Sequence, residues 1–223
     1  MSQIEELDFS KPKLMLILGR PESGKSNFTK HIIIKNSIKN KIFQFGIVFC
    51  STKYDGDYDF ISNKYVFDEY NEEMFEKYLG KLKKMKEKKK DKMPHSFVIF
   101  DDMLQQVTAN NNRLLEHLYS IHRHLNLTII FCNQVLKRMS TVLRRIINYA
   151  ILFNLRDYDT LNSFYQEFGQ LFESFEEFKK HFFNVTKEKY SAMIYVSDEQ
   201  DINKNYLAIK CPDVSKLDIK LKY

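Results

Sequence analysis

Residues 19–26 read Gly19-Arg20-Pro21-Glu22-Ser23-Gly24-Lys25-Ser26 and fit G-x-x-x-x-G-K-[ST] without deviation. A glycine-bearing loop of this spacing wraps a polyphosphate with backbone N–H groups, and a helix opening near Lys25 turns its positive end on the same charge. Lys25 is placed to neutralise the β- and γ-phosphates of a nucleotide, and the Ser26 hydroxyl to reach Mg²⁺. All eight residues, with Asn27 behind them, are candidate nucleotide contacts. Arg20 and Glu22 belong at the entrance, where solvation competes with that role.

A second group closes the apolar run F-V-I-F at 97–100, which delivers Asp101 and Asp102. Asp101 suits the Mg²⁺ shell, and Asp102 suits a water that must be oriented or deprotonated as it attacks the γ-phosphate. A third closes L-T-I-I-F-C at 127–132, followed by Asn133 and Gln134. In P-loop ATPases whose sheet inserts an extra strand between the two just named, a polar residue at its tip faces the γ-phosphate. Gln134, or Asn133 one position earlier, is placed for this.

Such side chains must be carried to one edge of a sheet. Apolar runs at 13–18, 46–50, 97–100, 127–132 and 150–153 predict strands, with a short one at 65–67. The segment Lys53-Tyr54-Asp55 after the second of these is open to a contact with a base or a pore. Between the strands, 25–36, 69–90, 111–124 and 141–148 predict helices; Leu114, Leu115, Leu118 and Ile121 would form the inner face of the third. Strands that alternate with helices and are apolar on both faces predict a largely parallel sheet covered on both sides. Residues 161–183 are aromatic-rich and helical, with Ser174 and Glu177 spaced as a capping box. Core packing is the expectation for Phe164, Tyr165, Phe168, Phe172, Phe175 and Phe178. Segments 190–196 and 206–211 predict an antiparallel hairpin at the sheet edge.

Composition bounds the rest. The chain has 223 residues, 43% hydrophobic and 29% charged, with 4 Pro and 6 Gly, which excludes disordered, collagen-like and membrane compositions. No apolar run approaches the length of a membrane span, and the first ten residues lack the pattern of a signal peptide. Cys50, Cys132 and Cys211 have no metal-binding spacing and predict buried free thiols in a reducing compartment. The net charge of +6 is concentrated: residues 77–92 hold nine Lys against Glu87 and Asp91, so everything outside them sums to −1. A lysine-rich linker, or a grip on a phosphate backbone, are the two readings of that run.

The combination of GRPESGKS, FVIFDD, HRHLNLTIIFCNQ and the Arg144-Arg145 pair in LRRIIN resembles the genome-packaging ATPases of large DNA viruses and virophages. These are the poxvirus-type branch of the FtsK/HerA P-loop translocase superfamily, and the likeness spans about residues 13–156. The resemblance implies an α/β P-loop NTPase of the additional-strand type, with a mostly parallel central sheet flanked by helices. A C-terminal helical segment and β-hairpin complete it. It implies one domain over 1–223, with a nucleotide-binding core at 13–156 and an elaboration at 157–223. The implied activity is a Mg²⁺-dependent ATPase that moves double-stranded DNA, without sequence specificity, into a preformed capsid.

The same resemblance implies a homo-oligomeric ring, a pentamer or hexamer, with viral capsid proteins as partners and no membrane. Its place would be the host cytoplasm or viral factory, in association with capsids. Each active site would be completed by a neighbour's arginine, Arg123 ahead of Arg144. Asp102 departs from the Glu of related translocases, and no winged-helix DNA reader is recognisable. Two other functions use the same loop: a small-molecule kinase, and a nucleotide-dependent structural or switch protein. Phosphate release without an acceptor argues against the first, and turnover that depends on Asp102 against the second.

Overall fold

The computed structural model describes residues 7–52, 55–103, 106, 113–136, 139–197, 204–214 and 217–221, the side chains at 91 and 113–116 aside. Strand β1 (Leu14–Leu18) leads through the glycine loop into helix α1 (Lys25–Ile34), which widens into a π-helical turn at Lys35–Lys39. Then follow β2 (Phe43–Cys50), the short β3 (Val66–Phe67), α2 (Glu72–Lys89), β4 (His95–Asp101), α3 (Arg113–Ile121) and β5 (Leu127–Asn133). The chain continues through α4 (Thr141–Arg145), β6 (Tyr149–Phe153), α5 (Tyr158–Phe168), α6 (Phe175–Val185), β7 (Ser191–Val196) and β8 (Tyr206–Lys210).

These strands form one sheet in the order β3-β2-β4-β5-β1-β6-β7-β8. The first six are parallel, and β7 and β8 add the expected antiparallel hairpin beside β6. Strand β5 lies between β1 and β4, which is the additional-strand arrangement. Every residue of β1, β4, β5 and β6 is buried, because helices cover both faces and side chains alternate between them. On one face Met15, Ile17, Ile99, Ile130 and Ile151 meet Phe28 and Ile32 of α1. On the other, Leu14, Leu16, Phe100 and Phe131 meet Phe75 and Leu79 of α2, Phe164 of α5 and Phe178 of α6.

The aromatics of the 161–183 region do pack on this core: Phe164, Phe168 and Phe178 are buried, and Tyr165, Phe172 and Phe175 lean against them. That region is two helices, the second opening at the expected capping box. Asp157 caps α5 by accepting from Thr160 N at 2.9 Å, and Ser174 caps α6 by accepting from Glu177 N at 3.2 Å. The Glu177 carboxylate closes the box one residue early, on Glu173 N at 2.8 Å, which satisfies a donor outside the helix instead of the cap's own. The helix expected at 141–148 stops at Arg145, since Ile147 is buried and Asn148 must turn to bond β1 through Oδ1 to Leu14 N at 2.9 Å. Leu118 of α3 is in the core as expected, whereas the side chains of Leu114 and Leu115 lie outside the described residues.

Candidate nucleotide site

Strands β1, β5 and β4 run parallel, so their ends deliver three segments to one edge: the phosphate loop, Asn133-Gln134 and Asp101-Asp102. The loop is held to β5 by Gly19 N, which donates to Asn133 O at 3.3 Å. Gly24 opens α1 with φ +115, a left-handed conformation that favours glycine. A Cβ there would also stand 2.8 Å from the Tyr190 ring. No side chain caps α1, so its first N–H groups are left for an anion.

Lys25 is buried, and its ammonium donates to the carbonyls of Gly19 at 2.8 Å and Arg20 at 3.1 Å. An ammonium has three protons, so one remains for a phosphate. Ser23 Oγ, in the loop, and Asn133 Nδ2, at the end of β5 beside it, are buried without a hydrogen-bond partner. Such groups are costly unless something fills the site, so the residues fit an anionic, oxygen-rich ligand. Ser26, half-buried at the first turn of α1, and Asp101 supply the hard oxygen donors that suit Mg²⁺. Arg20, Pro21 and Glu22 are exposed at the mouth.

Asp101 is buried and accepts from the Tyr58 hydroxyl at 2.8 Å. Burial pushes its carboxyl up to about 6, with the Tyr58 hydrogen bond and the Lys25 charge opposing and Asp102 reinforcing the rise. Asp102 is exposed, with φ 52, and its amide donates to Cys132 O at 2.9 Å. That left-handed turn sends the two adjacent carboxylates to different surroundings, one buried and one solvated. Gln134 donates from Nε2 to Asp102 Oδ2 at 3.0 Å. Lys25, Asp101, Asp102, Asn133 and Gln134 are thus gathered at one edge as the spacing predicts.

One expected contact lies elsewhere, and neither arginine considered for a neighbour's site stands at its own phosphate loop. Asn27 is turned away from the phosphates: Nδ2 donates to Pro212 O at 2.8 Å and Oδ1 accepts from Val214 N at 2.8 Å, clamping the C-terminal strand-end onto α1. Arg144 is committed within the chain, to Glu167 Oε2 at 3.0 Å and Met139 O at 3.2 Å. Arg123 is exposed on the turn that enters β5. It lies before a 7-residue strand whose far end carries Asn133, so about 20 Å of sheet separates it from its own phosphate loop.

Sequence reasoning missed Tyr58 and Tyr190. Tyr58 sits in a polar stretch with no periodic signal, and only the loop after β2 carries it onto Asp101. Tyr190, with φ 65, precedes β7 and packs on Gly24. A cavity of about 510 Å³ runs from Gly24, Lys25 and Ser26 to Tyr190 and Lys189, bounded also by Asp55 and Asp57. Arg156, exposed after β6, shares the phosphate edge although no motif marks it. Residues 53 and 54, open in the sequence to a base or pore contact, lie outside the described residues. The three cysteines are buried and free, and no described helix is long and apolar enough to cross a membrane.

A family model described as poxvirus A32 protein matches residues 4–168. No curated protein matches the chain. Among solved structures, the genome packaging NTPase B204 from Sulfolobus turreted icosahedral virus 2 in complex with AMPPCP is 19% identical, with a TM-score of 0.62 over 92% of this chain and 100% of that one. B204, the DNA-packaging ATPase from Sulfolobus turreted icosahedral virus, is 21% identical, with a TM-score of 0.62 over 91% and 99%. The cytoplasmic domain of the type VII secretion ATPase EccC from Thermomonospora curvata is 13% identical, with a TM-score of 0.64 over 94% of this chain and 26% of that one. These likenesses carry the P-loop ATPase fold.

Proposed function

The chain belongs to the poxvirus A32 protein family, and from that premise we propose that it is an ATP-hydrolysing motor that packages viral double-stranded DNA into a preformed capsid. One observation carries the reading. The phosphate loop, the Asp101-Asp102 pair and Gln134 converge at the ends of three adjacent parallel strands, with Gln134 already bonded to Asp102. The B204 structures, one an AMPPCP complex and one described as a DNA-packaging ATPase, have the same fold, which supports ATP as the nucleotide and DNA as the cargo.

The triphosphate is held by the amides of the loop and by the free proton of the Lys25 ammonium. Asp102 orients a water on the γ-phosphorus and accepts its proton as the new P–O bond forms and the β–γ bridging bond breaks. Gln134 holds that carboxylate in place and, by its position at the tip of β5, follows the loss of the γ-phosphate. Ser26 and Asp101 would hold Mg²⁺, which when bound offsets charge on the phosphate oxygens.

A homo-oligomeric ring, pentameric or hexameric, completes the proposal, with the capsid proteins as its dock. Within it Arg123 is the one of the two candidate arginines available to a neighbour's nucleotide, since Arg144 is occupied by Glu167. The test is phosphate release from ATP with Mg²⁺, with and without duplex DNA and with no acceptor. DNA-stimulated release that Asp102→Asn abolishes, with nucleotide still bound, supports the motor. Turnover that needs a small-molecule acceptor would reassign the chain to the kinases.

A further inference from the structure

The six parallel strands start at one edge of the sheet and end at the other, so the loops that feed and leave them sort by edge. The loops that feed the strands are basic. Lys11 precedes β1, Lys41 precedes β2, Lys90 and Lys92 precede β4, and Arg145 precedes β6, all of them exposed. Arg123, offered above to a neighbouring subunit, precedes β5 on the same edge. Short bonds tie these segments together: Ser96 N to Asn126 O at 2.8 Å, Asn126 Nδ2 to Met93 O at 2.9 Å, and Ile129 N to Lys13 O at 2.9 Å.

The loops that leave β2, β3 and β4 are acidic, while those after β1 and β6 carry Arg20 and Arg156 beside Glu22 and Asp157. Asp55, Asp57 and Asp59 follow β2, Asp68 and Glu69 follow β3, Asp101 and Asp102 close β4, and Asp157 follows β6. Among the described residues of the basic edge, Asp8 stands beside Tyr149, and Glu167 is neutralised by Arg144. The lysine run of α2 ends at the entry to β4 and extends the basic edge.

We propose that the strand-entry edge, opposite the phosphate loop, is the face that grips a nucleic-acid duplex through its phosphates. The inference rests on the DNA-motor reading and assigns the surface that serves it. From β2 across β4, β5 and β1 to β6 the edge spans about 19 Å at the usual interstrand distance, a length along which a duplex carries roughly ten phosphates. Backbone contact of this kind positions the duplex without reading bases.

The test compares two variants of the full chain, K11Q/K41Q/K92Q/R145Q on the edge and K179Q/K180Q on α6. Binding to a random-sequence duplex is followed by fluorescence anisotropy between 50 and 200 mM salt, beside ATP hydrolysis without DNA. The edge variant is expected to bind at least tenfold more weakly, with a shallower dependence on log salt by about 0.9 for each phosphate that is no longer neutralised. Its basal hydrolysis should match that of the unaltered protein, and the α6 variant should bind as the unaltered protein does. Unchanged binding by the edge variant, or an equal loss in both variants, overturns this assignment while leaving the motor intact. An unaltered protein that ignores duplex at every salt overturns the motor reading and this inference with it. Retained duplex binding with lost affinity for poly-glutamate would give the edge to an acidic protein instead.

Discussion

The Gln134 side-chain amide donates to Asp102 Oδ2 at 3.0 Å, joining the tip of β5 to the tip of β4 beside the phosphate loop. Asp102 is the only member of this pair that can take a proton, and Gln134 restricts where its carboxylate points. Asp102→Asn is expected to lower the rate of ATP hydrolysis by about 10²-fold or more, the range for loss of a positioned base. Gln134→Ala should lower it less. Binding of a non-hydrolysable analogue, measured by calorimetry, should persist in both; loss of binding would place these residues in nucleotide capture instead.

The Tyr58 hydroxyl donates to Asp101 Oδ2 at 2.8 Å, beside a longer thiol contact from Cys50 at 3.9 Å. Tyr58→Phe leaves that buried oxygen without the hydroxyl, at a cost of about 1–3 kcal/mol. The expected readouts are a lower thermal midpoint and a higher Mg²⁺ concentration for half-maximal hydrolysis. An unchanged Mg²⁺ requirement would limit Tyr58 to a structural part.

Tyr190 lies against Gly24 and walls the cavity that leads away from Lys25 and Ser26. An aromatic face there is placed to stack on a nucleobase, a contact worth about 1–3 kcal/mol where measured for nucleic-acid bases. Tyr190→Ala should weaken ATP binding by about tenfold and leave inorganic tripolyphosphate binding unchanged, with Tyr190→Phe near the parent. Equal losses for both ligands would mean that the substitution had disturbed the loop.

Arg144 and Arg123 should separate cleanly. Arg144→Ala removes a partly buried ion pair with Glu167, expected to lower stability by about 1 kcal/mol with a modest effect on turnover. Arg123→Ala, on an exposed turn, should change stability by less than about 0.5 kcal/mol. In the proposed ring it should depress DNA-stimulated hydrolysis by about 10³-fold, the low end for an arginine supplied in trans. Mixing Arg123→Ala with Lys25→Ala subunits should restore some activity if the arginine acts on a neighbour.

His95 sets an acid limit on stability. Burial holds its imidazole down to about 4, from an ordinary value of 6.5. Its Nε2 sits 2.9 Å from Thr128 Oγ1, which already accepts from Lys13 N. The unfolded chain therefore binds the proton first as pH falls. This contribution is complete above pH 6.5, is lost as the pH drops toward about 4, and is constant below, amounting to roughly 3 kcal/mol. Urea unfolding of His95→Leu against the parent should show a flatter profile in that window; parallel profiles would refute it.

Much of this molecule was legible along the chain. The strands before the phosphate loop, Asp101 and Asn133 are continuous apolar runs because helices cover both faces, and such runs are visible without knowing their neighbours. The loop itself is a local object, since G-x-x-x-x-G-K-S carries its own turn, its own amides and its own lysine. Asn27 shows the limit of adjacency. It follows the loop in sequence, yet its amide group is used up by Pro212 and Val214, residues that only the returning tail brings near.

Local chemistry, then, belonged to the residues: which atoms can hold a phosphate, which can take a proton, which stretches must be buried. The strand order and the direction of every strand belonged to the tertiary structure. Those two facts insert β5 between β1 and β4, bring Gln134 to Asp102, set Tyr58 on Asp101, and send Arg123 and Arg144 to the far edge. They also bring the exposed Lys11, Lys41, Lys92 and Arg145 to one edge of the sheet. The reason is physical: periodicity reports how a segment faces its core, while pairing between segments tens of residues apart leaves no mark within either one.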